Sequence, residues 1–168
     1  ASTASLVWMF IEWKRFGKPS LIGIVTGMVA GLATVTPASG YIGVPGGLIL
    51  GFLGGSLCYI AVDYIRGKLQ IDDSLDVFAV HGVGGILGTL LVAFLATSSF
   101  SGLGLAEGQT GISQFIIQLK AVVLTVVWTS FITYLILKLT SLIVSLRVDE
   151  QEEIEGLDLR SHSEKGYH

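Results

Sequence analysis

The chain has 168 residues, 51% of them hydrophobic and only 14% charged, with a mean hydropathy of +0.73. A domain with a water-facing surface carries roughly 25% charged residues, so the composition excludes one, and it excludes disorder, which needs low hydrophobicity. The net charge of −3 says little about partners, because seven of the 13 acidic residues lie beyond position 148.

The 22 glycines fall largely within apolar runs, which points to close helix packing in lipid. Cys58, the single cysteine, sits in such a run and cannot form an internal disulfide framework. Residues 1–5 lack a basic n-region, so no secretory signal is expected. There is no nucleophile–base pair, metal-ligand cluster or phosphate-cradling loop, so neither an enzyme, a cofactor, a metal nor a nucleic-acid partner is expected.

The chain begins with an apolar stretch ending in Glu12-Trp13-Lys14-Arg15, a membrane exit with an interfacial aromatic. It is about half the ~20 residues that a span needs. Residues 1–15 therefore read as a partial transmembrane helix, with an interfacial helix as the alternative. Residues 20–38, 46–67 and 72–96 each have the length and apolarity of a full span. A last apolar stretch, 115–147, would reach ~50 Å as a helix, so it must tilt or project from the membrane. Gly and Pro punctuate the joints, as at Gly17-Lys18-Pro19 and Val44-Pro45-Gly46. The expected class is an all-α, polytopic membrane helical bundle over 1–147 with a polar tail over 148–168.

Basic residues set the orientation. Lys14, Arg15 and Lys18 precede the first full span, Arg66 and Lys68 follow the second, and Arg147 follows the last. The loops at 39–45 and 97–114 carry no Lys or Arg. This alternation predicts a multi-pass protein with a cytoplasmic C-terminus. Lys120 is the exception, and it can snorkel outward. Glycines recur every four residues at Gly23, Gly27 and Gly31, at Gly47, Gly51 and Gly55, and at Gly84 and Gly88. Such stripes let helix backbones approach closely in lipid.

The third span holds the ionisable groups of interest. Asp72 or Asp73 can cap its start, because a carboxylate accepts from orphan N–H groups at the positive end of the dipole. Asp76 falls in its first turns. His81 lies ~9 Å beyond Leu75 along a helix, about a third of the way across the hydrocarbon. An ionisable group at that depth is costly, so it faces a cavity or a bundle interior. A buried histidine satisfied by packing is the alternative.

The run Asp72-Asp73-Ser74-Leu75-Asp76-Val77-Phe78-Ala79-Val80-His81-Gly82, with Gly85 and Gly88, resembles the signature of the Amt/Mep/Rh ammonium transporters of the bacterial Amt kind. Further stretches agree in order and spacing: Gly17-Lys18-Pro19-Ser20, Ala30-Gly31-Leu32, Thr36-Pro37-Ala38-Ser39-Gly40-Tyr41, Leu105-Ala106-Glu107-Gly108 and Glu155-Gly156-Leu157-Asp158. The resemblance covers essentially the whole chain. It implies the C-terminal half of a fold of about eleven spans built from two inverted halves, assembled as a homotrimer in the cell membrane. The other half, with the first of two paired pore histidines, is not in this sequence.

The resemblance also implies roles. His81 is the second pore histidine for ammonium or ammonia, and Val77 is an apolar pore wall one turn before it. Val29 and Thr36 match pore-side positions, with packing as the alternative for each. Asp76 and Asp73 support the inner end of the pore helix. In the tail, Gly156, Asp158 and His162 match a regulatory cytoplasmic arm that in relatives couples to PII-type signalling proteins, where composition alone reads as a solvated acidic tail. His168 falls in the same tail. Ser163 stands where a Gly is usual, and Arg160 where some relatives carry a phosphorylatable Thr, which puts a phosphoswitch there in doubt. A sensor built on the same fold is the alternative function.

Overall fold

In a computed structural model of the chain, residues 1–164 are described; residues 165–168, with His168, lie outside the described residues. The described residues form helices, turns and loops with no strand. Helix α1 is Ser2–Phe16, α2 Leu21–Val35, α3 Val44–Val62, α4 Val83–Leu95, α5 Gly111–Thr140, α6 Glu150–Glu155 and α7 Leu157–His162. A 3-10 turn at Thr36–Ala38 extends α2, and π-helical turns at Asp63–Lys68 and Phe78–Gly82 extend α3 and precede α4. With these turns included, four stretches are long and apolar enough to span a bilayer: Leu21–Ala38, Val44–Lys68, Phe78–Leu95 and Gly111–Thr140. The chain divides into two compact units, Ala1–Val123 and Leu124–His168. The division thus falls inside the last apolar helix, whereas the sequence pattern places one break at 147/148.

The first unit is a bundle of α1 to α4 whose seams are lined by small residues. A Cβ placed on Gly23, Gly27 or Gly31 would meet Glu12, Trp8 and Ala4 respectively. As one number rises the other falls, so α1 and α2 run antiparallel with α1's i, i+4, i+8 side chains seated on the glycine stripe. At the next seam Thr34 of α2, fully buried, meets Gly54 of α3 and both Gly84 and Gly88 of α4. Its hydroxyl donates to the Ala30 carbonyl at 2.7 Å, which leaves no polar atom unsatisfied at the crossing. On α3, Gly51 and Gly55 face α1, whereas Gly47 has nothing within 4 Å and Gly54, outside the every-fourth pattern, makes the contact with α2. Two apolar clusters finish the core. Trp8, Ala30, Cys58 and Val80 form one, and Ala38, Leu50, Val92, Leu95 and Ala96 form the other. Trp8 meets Tyr59 edge to face at 5.1 Å, a favoured aromatic geometry.

These pairings make successive helices alternate in direction. Lys14, Arg15, Lys18, Arg66 and Lys68 therefore gather at one end of the bundle, and the neutral turns around Tyr41 and Gly102 at the other. The neutral end is knitted by backbone hydrogen bonds: Leu103 N–H donates to Tyr41 O at 3.1 Å and Gly104 N–H to Ala96 O at 2.7 Å. The first turn of α5 packs here, with Phe115 against Phe94 at 5.5 Å.

The second unit holds the rest of α5 and the tail. Helix α5 is a 30-residue helix, ~45 Å long, that ends at Thr140 rather than at 147. Beyond it the chain closes into turns through Ile143 N–H and Val144 N–H to Thr140 O. Trp128, Phe131, Tyr134 and Leu139 are all exposed. A helix apolar on every side is stable in lipid or inside a larger bundle. In the tail Arg147 bridges Glu153 at 2.7 Å, and Arg160 bridges Glu152 at 3.5 Å. Gly156, at φ +93, forms the joint between the two six-residue helices, a conformation that favours glycine.

Candidate functional site

The site is built around the start of the third span. The sequence pattern starts that helix at residue 72, but helical geometry begins only after Asp76, which sits at φ +55. The left-handed region is one that Asp tolerates better than most residues, and it interrupts the helix there. Asp73 provides the cap, its carboxylate accepting from Val77 N–H at 2.8 Å and Phe78 N–H at 2.9 Å. Asp76 is buried and faces Arg66 at 3.4 Å. Burial pushes its carboxyl above the ordinary range, and the Arg66 charge pulls it back in part.

His81 belongs to the π-helical turn Phe78–Gly82. Such turns are rare and recur at functional sites. Ala79 and Val80, at 1% and 2% exposure, turn into the bundle, Val80 packing with Ala30 and Cys58. Val77 and Phe78, at 52% and 62%, turn away from it, and His81 is exposed with them. Within this chain nothing covers the ring, which depth in the span places against a cavity or a bundle interior. Gly84 and Gly88 of α4 are covered by α2 and α3, whereas Gly85, one turn beyond the histidine, has nothing within 4 Å. An ionisable ring thus stands on the open face of an apolar span. Bare to lipid it would be costly, so it implies a covering partner or a polar path.

The other expected pore positions are only partly gathered. Val29 is half-buried against the Trp8 and Val80 cluster, level with His81 on the parallel helix α2. Thr36 is exposed about two turns higher, its hydroxyl donating to Leu32 O at 2.6 Å. In the second unit Gly156 is the joint described above, Asp158 lies in the first turn of α7, and His162 in its last.

Three features escaped the sequence pattern. Glu12 accepts from Ser20 N–H at 2.7 Å and from Trp8 Nε1 at 3.3 Å, tying the end of α1 to the start of α2. Arg15 bridges Asp63 at 3.1 Å. Arg66 faces Asp76. A signal was available in Asp63 and Arg66, charges at the foot of an apolar span with opposite charges elsewhere at the same end. Glu12, Asp63, Arg66 and Asp76 border a cavity of about 220 Å³ at this charged end. Tyr41, Gln114 and Gln118 border one of about 270 Å³ at the neutral end.

Apolar spans in alternating direction with glycine-lined seams define a polytopic helical membrane protein. A family model described as Ammonium Transporter Family matches residues 1–167. The chain is 41% identical over 167 residues to an ammonium transporter of Aquifex aeolicus, covering 99% of this chain and 39% of that one. It is 42% identical over 170 residues to ammonium transporter Amt1 of Archaeoglobus fulgidus, covering 99% and 42%. Among solved structures it resembles one described as a sensor Amt protein, with a TM-score of 0.84, 30% identity, and 94% of this chain aligned to 38% of that one. It also resembles Saccharomyces cerevisiae Mep2, with a TM-score of 0.73, 29% identity, and coverage of 84% and 35%. The chain belongs to the ammonium transporter family. It spans about two fifths of the length of these curated relatives.

Proposed function

We propose that this chain forms the C-terminal half of a transporter for ammonium or ammonia, in which the open face of the third span is one wall of the conducting path. The observation that carries the reading is His81, an ionisable ring on the uncovered face of an apolar helix, in a π-helical turn that directs its neighbours Ala79 and Val80 inward. In the complete protein the preceding half covers this face, and His81 meets the first histidine of the pair. Val77 and Phe78 supply apolar wall beside it, with Val29 level on α2 and Thr36 farther along the path.

An ammonium ion entering a dry apolar passage loses several kcal/mol or more of hydration. Neutral ammonia loses far less. A neutral imidazole offers one donor and one acceptor nitrogen, so two rings in contact fix each other's tautomers and pass a proton or receive the ammonia lone pair. Asp73 and Asp76 hold the inner end of this helix. The assembly is a homotrimer in the cell membrane with a cytoplasmic C-terminus. The tail, through Gly156, Asp158 and His162, is the regulatory arm that meets a PII-type protein.

The likeness to a sensor Amt protein supports a second reading, in which the same fold binds ammonium and signals. One experiment separates the two. The complete protein is reconstituted in liposomes and internal pH is followed after an ammonium pulse. Flux well above empty liposomes supports transport. A protein that binds ammonium without flux supports the sensor.

A further inference from the structure

The charged end of the bundle contains an arrangement that the transport reading leaves unused. Two π-helical turns, Asp63–Lys68 and Phe78–Gly82, flank the linker at 69–77. Each is anchored on its own side. Leu69 N–H donates to Tyr64 O at 3.0 Å and Ile71 N–H to Ile65 O at 3.2 Å, holding the start of the linker to the first turn. Asp73 caps the second.

Asp76 joins the two sides. Its carbonyl accepts from Val80 N–H at 2.8 Å, one residue before His81, so its backbone is part of the histidine's turn. Its carboxylate faces Nη1 of Arg66, in the other turn, with both oxygens at 3.4 Å. The carboxylate is the buried partner and the guanidinium the half-exposed one, so the pair adds little to overall stability. Its effect is geometric. Asp76 is held in a left-handed conformation that it would otherwise leave readily. Return to a right-handed conformation would move the Asp76 carbonyl that accepts from Val80 N–H, and so loosen the first turn, from which His81 projects.

We propose that Arg66 is a positioning residue for His81, acting through Asp76: the Arg66–Asp76 pair fixes the backbone kink that aims the histidine at the conducting path. The proposal rests on the reading of His81 given above. Without Arg66 the carboxylate is left in a poorly solvated place with no counter-charge, and it moves toward water or takes a proton. Either change releases the kink.

The test uses the complete protein, with methylammonium uptake and potassium leak current each normalised to assembled trimer. Partners that orient a metal-ligating histidine typically cost roughly 10–100-fold when removed, and the lower end of that range is expected for a histidine that holds no metal. Arg66→Gln is expected to lower normalised uptake about tenfold and to shift the uptake-to-leak ratio in the same direction as His81→Ala. Arg66→Lys, which keeps the charge, is expected to recover most of the loss. An unchanged ratio in Arg66→Gln, with any fall in uptake explained by less assembled protein, overturns the proposal, as does Arg66→Lys behaving like Arg66→Gln. If Arg66→Gln does not assemble, Asp76→Asn carries the test, because Asn keeps the volume and tolerates the same backbone; unchanged uptake and ratio there overturn it. Wild-type behaviour of His81→Ala would instead defeat the transport reading. An impaired His81→Ala beside a normal Arg66→Gln defeats only the role given to Arg66.

Discussion

Replacing Gly88 by Ala adds one methyl group at the crossing of α2 and α4. That methyl would run into the carbonyl of Thr34, with the carbonyl carbon 2.9 Å away and Pro37 Cδ 3.3 Å away. A backbone carbonyl cannot swing aside as a flexible side chain does, so the two helices must separate. Overpacking of this kind costs about 1–3 kcal/mol, and the rigid obstacle places Gly88→Ala toward the upper end. Ala also gains about 1 kcal/mol over Gly in a helix interior. Gly85→Ala, with nothing within 4 Å of the added methyl, isolates that gain on the same helix. The stability difference between the two variants is therefore the overpacking cost, about 1–3 kcal/mol. Denaturation of the 168-residue chain in micelles by sodium dodecyl sulfate reads it, with fluorescence of Trp8, packed on Tyr59, as one probe. Equal stability of Gly88→Ala and Gly85→Ala would refute the close crossing.

Other outcomes follow from the same structure. The 168-residue chain alone should give no ammonium flux in liposomes, because on the proposed reading it supplies only one wall of the path; flux well above empty liposomes would refute this. Cysteine placed at Ser161 should be labelled only from the inside of intact cells and cysteine at Ser99 only from outside; labelling of position 161 from outside would overturn the topology. Arg147 holds the Glu153 carboxyl below its ordinary range. A lowered folded-state value means that the pair supports α6 at neutral pH and ceases to do so as pH falls through that lowered value. Hydrogen exchange at the α6 amides, corrected for intrinsic rates, should therefore accelerate on acidification, and equal protection at pH 7 and pH 3 would refute it.

The spans were legible because lipid imposes length and apolarity on any helix that crosses it, and the glycine stripe of α2 because small residues repeat on one face. The signature around His81 was legible as a pattern, and Asp73 as a cap by its place before an apolar run. What stayed hidden depends on contacts distant in sequence or on backbone detail. Gly54 falls outside the every-fourth pattern because α3 meets two neighbours on two faces, α1 through Gly51 and Gly55 and α2 through Gly54. The π-helical turns leave no mark in apolar periodicity. The left-handed Asp76 shortens the third helix, though Asp at a helix start reads as a cap in either case. Glu12 looks like one charge of an interfacial cluster, and only the return of the chain at Ser20 makes it a hub. His81 reads as facing a cavity or a bundle interior because depth in a span implies cover, while the helices of the first unit leave the ring exposed.

The most direct test of the account is the complete protein carrying His81→Ala, with methylammonium uptake and ammonium-driven current measured on trimers shown to be intact. The account predicts impaired uptake or lost selectivity in a well-folded assembly, with His81→Glu retaining conduction at altered ion selectivity through its own proton-carrying group. Unchanged rate and unchanged selectivity in a folded His81→Ala protein would contradict it and return the open face of the third span to a packing role.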